Sequence, residues 1–273
     1  MHDFTYYAQI LISGLTIGSL YALIAIGYTM VYGILRLINF AHGDMFMVAG
    51  FIMIYITSWS SSFLGAGSIA VGLILTLILT VVLGVMIEKV AYKPLRQAPR
   101  MSVMISAIGV SYLLQNLANY ITGGIARAYP DIPFLTQVLN IGGLNIKRIT
   151  IVTPILTIAL VAVLVILIQK TKIGMAMRAV SRDFETSQLM GIKINSVISM
   201  TFVIGSFLAA VFGGIGSIPG AVSGAFIIGI CESFIKANEN IAVFSNAFTF
   251  ALLIVILLCK PNGLFGEKLT EKV

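Results

Sequence analysis

Charge is what this chain has least of. Only 10% of its 273 residues are Asp, Glu, Lys or Arg, against 59% hydrophobic, and the mean hydropathy is +1.03. A soluble domain carries about 25% charged residues, so a water-facing surface is excluded. The composition reads as one integral membrane domain over 1–273, not as two soluble domains. Cysteine is also scarce. Cys231 and Cys259 both lie in apolar stretches, which excludes a disulfide framework and a cysteine-based metal site. The histidines are His2 and His42 alone. No G-x-S-x-G occurs, and "GGIGSIPGA" (213–221) lacks the Lys-Ser/Thr and the preceding strand of a phosphate loop. If ATP energises this protein, another subunit binds it.

What charge there is has a sign. The net charge of +7 reads as the positive-inside bias of membrane proteins and not as a nucleic-acid footprint, since no aromatic-interleaved basic patch accompanies it. Met1-His2-Asp3 lacks the basic region of a secretory signal, and the apolar run behind it continues to Leu35, so it reads as a first span.

Charge-free windows run over 4–35, 45–87, 101–126, 149–169, 194–231 and 240–259. About 20 apolar residues cross a bilayer. The window 45–87 therefore holds two spans, near 40–57 and 66–87, separated by "SWSSSFLGAGS". Lys89, Lys93, Arg96 and Arg100 place the loop 88–100 in the cytoplasm. Lys170, Lys172, Arg178, Arg182 and Lys193 do the same for 170–193. The segment 123–149, with "YPDIPF" and "NIGGLN" as turns, is then external, and so is the N-terminus. The window 194–231 is barely long enough for two crossings. One crossing puts the tail with Lys260, Lys268 and Lys272 inside, and two put it outside. The expected fold is an all-α polytopic bundle of about seven to eight transmembrane helices.

Small residues recur at helical spacing as Gly14, Gly18, Ala22 and as Gly216, Gly220, Gly224. Such stripes let transmembrane helices pack closely. The polar residues inside this apolar background are the candidate functional ones. "INFAHGDMFMVAG" (38–50) sets Asn39, His42, Gly43 and Asp44 in a hydrophobic run. His and Asp two apart point to different sides of a helix, and no nucleophile accompanies them, so enzyme chemistry is not supported. They suit a helix break, with Asn39 capping the next span and Arg36 near Asp44. A break at that depth must be buried or line a cavity, so structural and pathway or gate roles both stand. Gln115, Asn116 and Glu232 lie in or near other spans, and Glu232 can pair with Lys236.

The basic segment 170–195 has helical content. In it Glu185-Thr186-Ser187 precedes Gly191 at the Glu-Ala-Ala-x-x-x-Gly spacing of a coupling loop that seats in an ATPase cleft. Arg178, Arg182, Asp183, Glu185 and Gly191 are the candidate contacts.

These blocks together resemble the LivH-type permeases of branched-chain amino-acid ABC importers. The resemblance runs through 14–50, "EKVAYKPLR" (88–96), "MISAIGVSYLLQN" (104–116), 173–205, "FGGIGSIPGAVSGAFIIGICES" (212–233) and "FALLIVILLCKPNGLFG" (250–266). It implies a non-enzymatic, pore-forming subunit of the bacterial inner membrane without a cofactor of its own. Its partners would be a second, LivM-like permease, two ATPases that bind the ATP, an extracytoplasmic substrate-binding protein and membrane lipid. Branched-chain amino acids are the implied substrates. Urea-like amides or other amino acids are the alternative, and a stand-alone secondary transporter is the reading from another class. In the family, the stretches ending "TFVIG" and beginning "GGIGSIPG" stand well apart. Here they are fused as "TFVIGSFLAAVFGGIGSIPGA" (201–221), so about one span is expected to be missing between 205 and 213.

Overall fold

The structure is a computed structural model and describes residues 2–35, 39–96, 98–129, 133–141, 144–211, 218–238 and 241–259. Its helices are α1 (His2–Leu35), α2 (Ala41–Leu64), α3 (Ser68–Ile87), α4 (Arg100–Thr122), α5 (Pro133–Thr136), α6 (Arg148–Lys170), α7 (Lys172–Arg182), α8 (Phe184–Leu189), α9 (Ile194–Val211), α10 (Ile218–Lys236) and α11 (Ser245–Cys259). A two-stranded antiparallel hairpin joins β1 (Val138–Ile141) and β2 (Leu144–Lys147), with Val138 opposite Lys147 and Ile141 opposite Leu144. Where turns were expected in 123–149, "NIGGLN" thus supplies strand residues on both sides of its glycines. Among the described residues five helices are long and apolar enough to cross a membrane: Phe4–Tyr32, Ala41–Leu64, Ser68–Leu95, Met101–Thr122 and Arg148–Lys170. This is a multi-pass membrane protein.

The chain groups into two compact units. One comprises 27–131 and 162–214, the other 1–26, 132–161 and 215–273. In the first, α2 packs against α3, α4 and α9, and α3 packs against α9. The buried face of α3 is Ser68, Gly72, Thr76, Thr80 and Gly84, while Leu73, Ile74, Leu79, Val82 and Met86 are exposed. A soluble helix would show the reverse. In lipid, large apolar chains face outward at no cost, and small ones let backbones approach. Gly84 has no room for a side chain against Ser206 of α9. This four-residue stripe escaped the sequence reading, which looked for glycine and alanine alone.

Two boundaries differ from expectation. The span near 40–57 continues to Leu64. Its serines satisfy themselves on preceding carbonyls, Ser60 Oγ donating to Ile56 O at 2.7 Å and Ser61 Oγ to Ser58 O at 2.7 Å, so "SWSSSF" needs no loop. The expected loop 88–100 opens as helix: α3 runs into a π turn over Glu88–Tyr92 and a 3-10 turn over Lys93–Leu95.

In the second unit α1 and α10 are antiparallel. Tyr6 Oη donates to Ala237 O at 2.9 Å, Gly14 lies against Ile230 and Gly18 against Phe226. The α1 stripe therefore serves packing. Gly229 meets the Gly18 backbone, and among the described residues nothing lies near the Cβ position of Gly224. Pro154 interrupts α6. Its missing N–H leaves the Thr150 carbonyl without its helical donor, and Thr16 Oγ1 of α1 donates to that carbonyl at 3.2 Å. The window 194–231 holds parts of two helices, α9 and α10. Of the expected join at 205–213, residues 212–213 lie outside the described residues.

The glycine contacts predict an asymmetry. A Cβ at Gly18 would sit 2.8 Å from Phe226 Cα, so Gly18→Ala should destabilise by about 1–3 kcal/mol through overpacking. Gly224→Ala, in open space, should be neutral or stabilise by up to about 1 kcal/mol. Thermal unfolding midpoints of the two variants in detergent check this.

Candidate functional site

The polar residues of 38–50 gather in the first unit. Asn39 is buried, and its Oδ1 accepts from Tyr92 Oη at 2.6 Å. It does not cap α2 as expected. Phe40 holds the N-cap position without a side-chain hydrogen bond, and the amide of Asn39 is engaged across the unit. The backbone still turns here, His42 N donating to Asn39 O at 3.0 Å. His42 is buried edge-on to Tyr28, ring centroids 5.0 Å apart, and its Nε2 has no partner among the described residues. Gly43 lets Tyr28 approach: a Cβ there would lie 3.2 Å from Tyr28 Oη.

Asp44 points the other way, toward α4. Ser111 Oγ donates to its Oδ2, and Gln115 Nε2 donates to its Oδ1 at 2.9 Å and to Ser111 Oγ at 3.2 Å. Ser111 is eleven residues into α4, about 16 Å along its axis, so this carboxylate sits at membrane depth and is half-buried. Asn116 is not part of the cluster. Its Nδ2 donates back to Tyr112 O at 2.7 Å. Arg36 lies outside the described residues. The arrangement offers a fixed anionic acceptor with amide and hydroxyl neighbours. A nucleophile–base pair is not among its contacts.

A second buried acid stands where the chain approaches Arg96. Glu88 pairs with Arg96 Nη2, accepts from Ser199 Oγ of α9 at 3.1 Å, and Arg96 Nη1 also donates to Asn195. Glu88 is fully buried, so its partner is essential. A cavity of about 940 Å³ opens beside this pair, lined by Tyr92, Arg96, Phe184, Gln188, Lys193 and Asn195 among others.

The segment 170–195 folds as two capped helices. Thr171 Oγ1 accepts from Gly174 N at 3.1 Å to start α7, whose Gly174, Met177 and Val180 are buried. Arg178 Nη1 donates to Ile168 O at 2.9 Å and so closes the end of α6. Asp183 caps α8: its Oδ1 accepts from Thr186 N at 3.1 Å and its Oδ2 from Thr186 Oγ1 at 2.6 Å. Those two bonds hold the Asp183 carboxyl below the usual carboxylate range. Gly191 ends the turn at φ +82°, a left-handed conformation that favours glycine. Arg182 and Glu185 are exposed, as are Leu189 at 87% and Met190 at 79%.

The family described as "Branched-chain amino acid transport system / permease component" matches residues 10–213. The chain belongs to that family. It is 35% identical to the high-affinity branched-chain amino acid transport system permease protein BraD of Pseudomonas aeruginosa, covering 100% of both chains. It is also 35% identical to the permease protein LivH of Salmonella typhimurium and to that of Escherichia coli K12, with 99% of each chain covered. The alignment with BraD extends over 309 positions against the 273 residues of this chain, so at least 36 have no counterpart here. No solved structure shows a significant match.

In this permease, then, the sequence-derived candidates separate. Asp44 and Gln115 are in contact, Asn39 and His42 adjoin them on the same turn, and Asn116 stands apart. Glu232 lies in the other unit, accepting from Tyr21 Oη at 2.7 Å and pairing with Lys236. Of the coupling candidates, Arg178, Asp183 and Gly191 shape the segment, while Arg182 and Glu185 face outward. Sequence reasoning missed Glu88, Tyr92, Ser111 and the Leu189–Met190 tip. Glu88, Tyr92 and Arg96 at four-residue spacing were a legible signal of a shared helical face. Ser111 carried none.

Replacing the Asp44 acceptor tests the cluster. Asp44→Leu should cost about 1.5–3 kcal/mol, the range for hydrogen bonds to a charged group. Asp44→Asn, which keeps one acceptor oxygen for Gln115, should cost less. The order of the two unfolding midpoints checks this.

Proposed function

We propose that this permease is the pore-forming subunit of an ATP-driven importer of branched-chain amino acids in a bacterial inner membrane. A second permease, two ATPases and an extracytoplasmic binding protein complete the machine. The likeness along the whole chain to permeases named for high-affinity branched-chain amino acid transport carries this reading. The residues 170–195 supply the coupling surface. A short capped helix ending in exposed Leu189 and Met190 and a left-handed Gly191 is suited to enter an apolar cleft. Asp44, with Ser111 and Gln115, lines the path at the helix break and fixes its shape through hydrogen bonds.

The orientation follows from charge. Residues 88–100 and 170–193 lie inside. α9 leaves that face, since Asn195 and Ser199 pair with Arg96 and Glu88 at its start. α10 ends outside, since Ala237 meets Tyr6, and Gln9 Nε2 donates to Asn145 O of the external hairpin at 3.1 Å. The stretch 194–236 therefore makes one net crossing, and α11 returns the tail with Lys260, Lys268 and Lys272 to the cytoplasm.

Reconstitution tests the function. Leucine uptake into proteoliposomes should require the ATPases, the binding protein and ATP. Gradient-driven uptake by the lone chain would overturn the importer reading and favour a secondary transporter. For the orientation, a phosphatase fused after Val273, active only outside the membrane, should be silent. Strong activity would mean an even number of crossings.

A further inference from the structure

The unit built from α1, the hairpin and α10 holds a cavity of about 420 Å³ that the transport reading leaves unused. Small-molecule pockets span about 300–1,000 Å³. Its walls are two helical stripes, Tyr6, Gln9, Ile10, Ser13 and Ile17 on α1, and Ser233, Lys236 and Ala237 at the end of α10. The hydrogen bond from Tyr6 to the Ala237 carbonyl ties the helices at one end. At the other, Gly14 against Ile230 and Gly18 against Phe226 bring the backbones together. The cavity therefore runs beside this close helix contact, from Tyr6 to Ile17 along α1.

Its chemistry is specific. Ser233 is 6% exposed and its Oγ has no hydrogen-bond partner among the described residues. A buried hydroxyl left unpaired costs free energy, so this one is poised for an acceptor that the protein does not supply. Lys236 stands one turn along. Its ammonium carries three donors, is half-exposed, and is balanced by Glu232, which Tyr21 also holds. The pair is neutral overall, which suits a singly charged carboxylate better than a doubly charged phosphate. Ile10 and Ile17 offer an aliphatic wall.

We propose that this cavity is an external subsite for an aliphatic amino acid. The Ser233 hydroxyl and the Lys236 ammonium donate to its carboxylate, and Ile10 and Ile17 receive its tail. The proposal rests on the orientation and substrate class given above.

The test uses the complete assembly in lipid nanodiscs without binding protein. The probe is radiolabelled 4-methylpentanoate, which has the tail and carboxylate of leucine but no ammonium. It should bind, be displaced by leucine, and resist 3-methylbutylamine, which has the tail without the carboxylate. Ser233→Ala should weaken binding about tenfold, the equivalent of one hydrogen bond to a charged group. Ile17→Trp, which fills the cavity, should weaken it at least as much. Absence of binding, equal displacement by the amine, failure of leucine to displace, or unchanged affinity in both variants would each overturn the subsite. So would binding in phosphatidylcholine discs that phosphatidylglycerol abolishes, the mark of a lipid headgroup site. Leucine uptake by the same wild-type assembly is measured in parallel. Uptake without the expected binding removes the subsite and leaves the transport reading intact, whereas absent uptake removes the transport reading itself.

Discussion

In a bilayer no water reaches a carbonyl, hydroxyl or charge, so each must find its partner within the protein. Most of the internal order of this permease answers that constraint. Serines and threonines bond to carbonyls one turn back: Ser19 to Leu15, Thr122 to Ala118, Thr157 to Thr153, Thr201 to Val197. Where Pro154 removes a donor, Thr16 supplies one from another helix. Buried acids are each matched: Glu88 by Arg96 and Ser199, Glu232 by Tyr21 and Lys236. The exceptions then stand out. Among the described residues, the buried Nε2 of His42, Oγ1 of Thr80, Nε of Arg96 and Oγ of Ser233 have no hydrogen-bond partner.

The same constraint explains the inside-out helix faces. With lipid on the outside, burying Leu or Ile gains little, and close approach of backbones gains more. α3 therefore buries serine, glycine and threonine. The α1–α10 contact uses Gly14, Gly18 and Gly229 in the same way. Polar bonds at those contacts set register. Tyr92 to Asn39 holds the chain entering α2 beside the π turn, and Ser111 and Gln115 hold Asp44 five residues later. The helix break in 38–50 is thus fixed at two heights by different side chains. This is why the His-Gly-Asp run carries a His that faces inward and an Asp that faces α4.

Much of this was legible in the chain. Scarcity of charge set the class, charge-free windows located the long helices, and the segment 170–195 announced its helical, polar character through its basic residues and the Glu185-to-Gly191 spacing. Boundaries were less legible. "SWSSSF" reads as a loop until Ser60 and Ser61 are seen to bond within their own helix, and "EKVAYKPLR" reads as a loop until Glu88 is seen to be buried on Arg96. Composition counts polar atoms, and only geometry shows whether they are satisfied.

By itself the sequence determined what water would refuse: the number and place of the apolar runs, the side on which lysine and arginine lie, and the spacings that mark a coupling segment. These are properties of short stretches, set by transfer free energy and helical period. Tertiary structure decided the partners. That Asp44 meets Ser111, that Arg96 meets Asn195, and that Gly18 meets Gly229 depend on residues 67, 99 and 211 positions apart. Such pairings follow from how helices lie against one another, and local period carries no record of that.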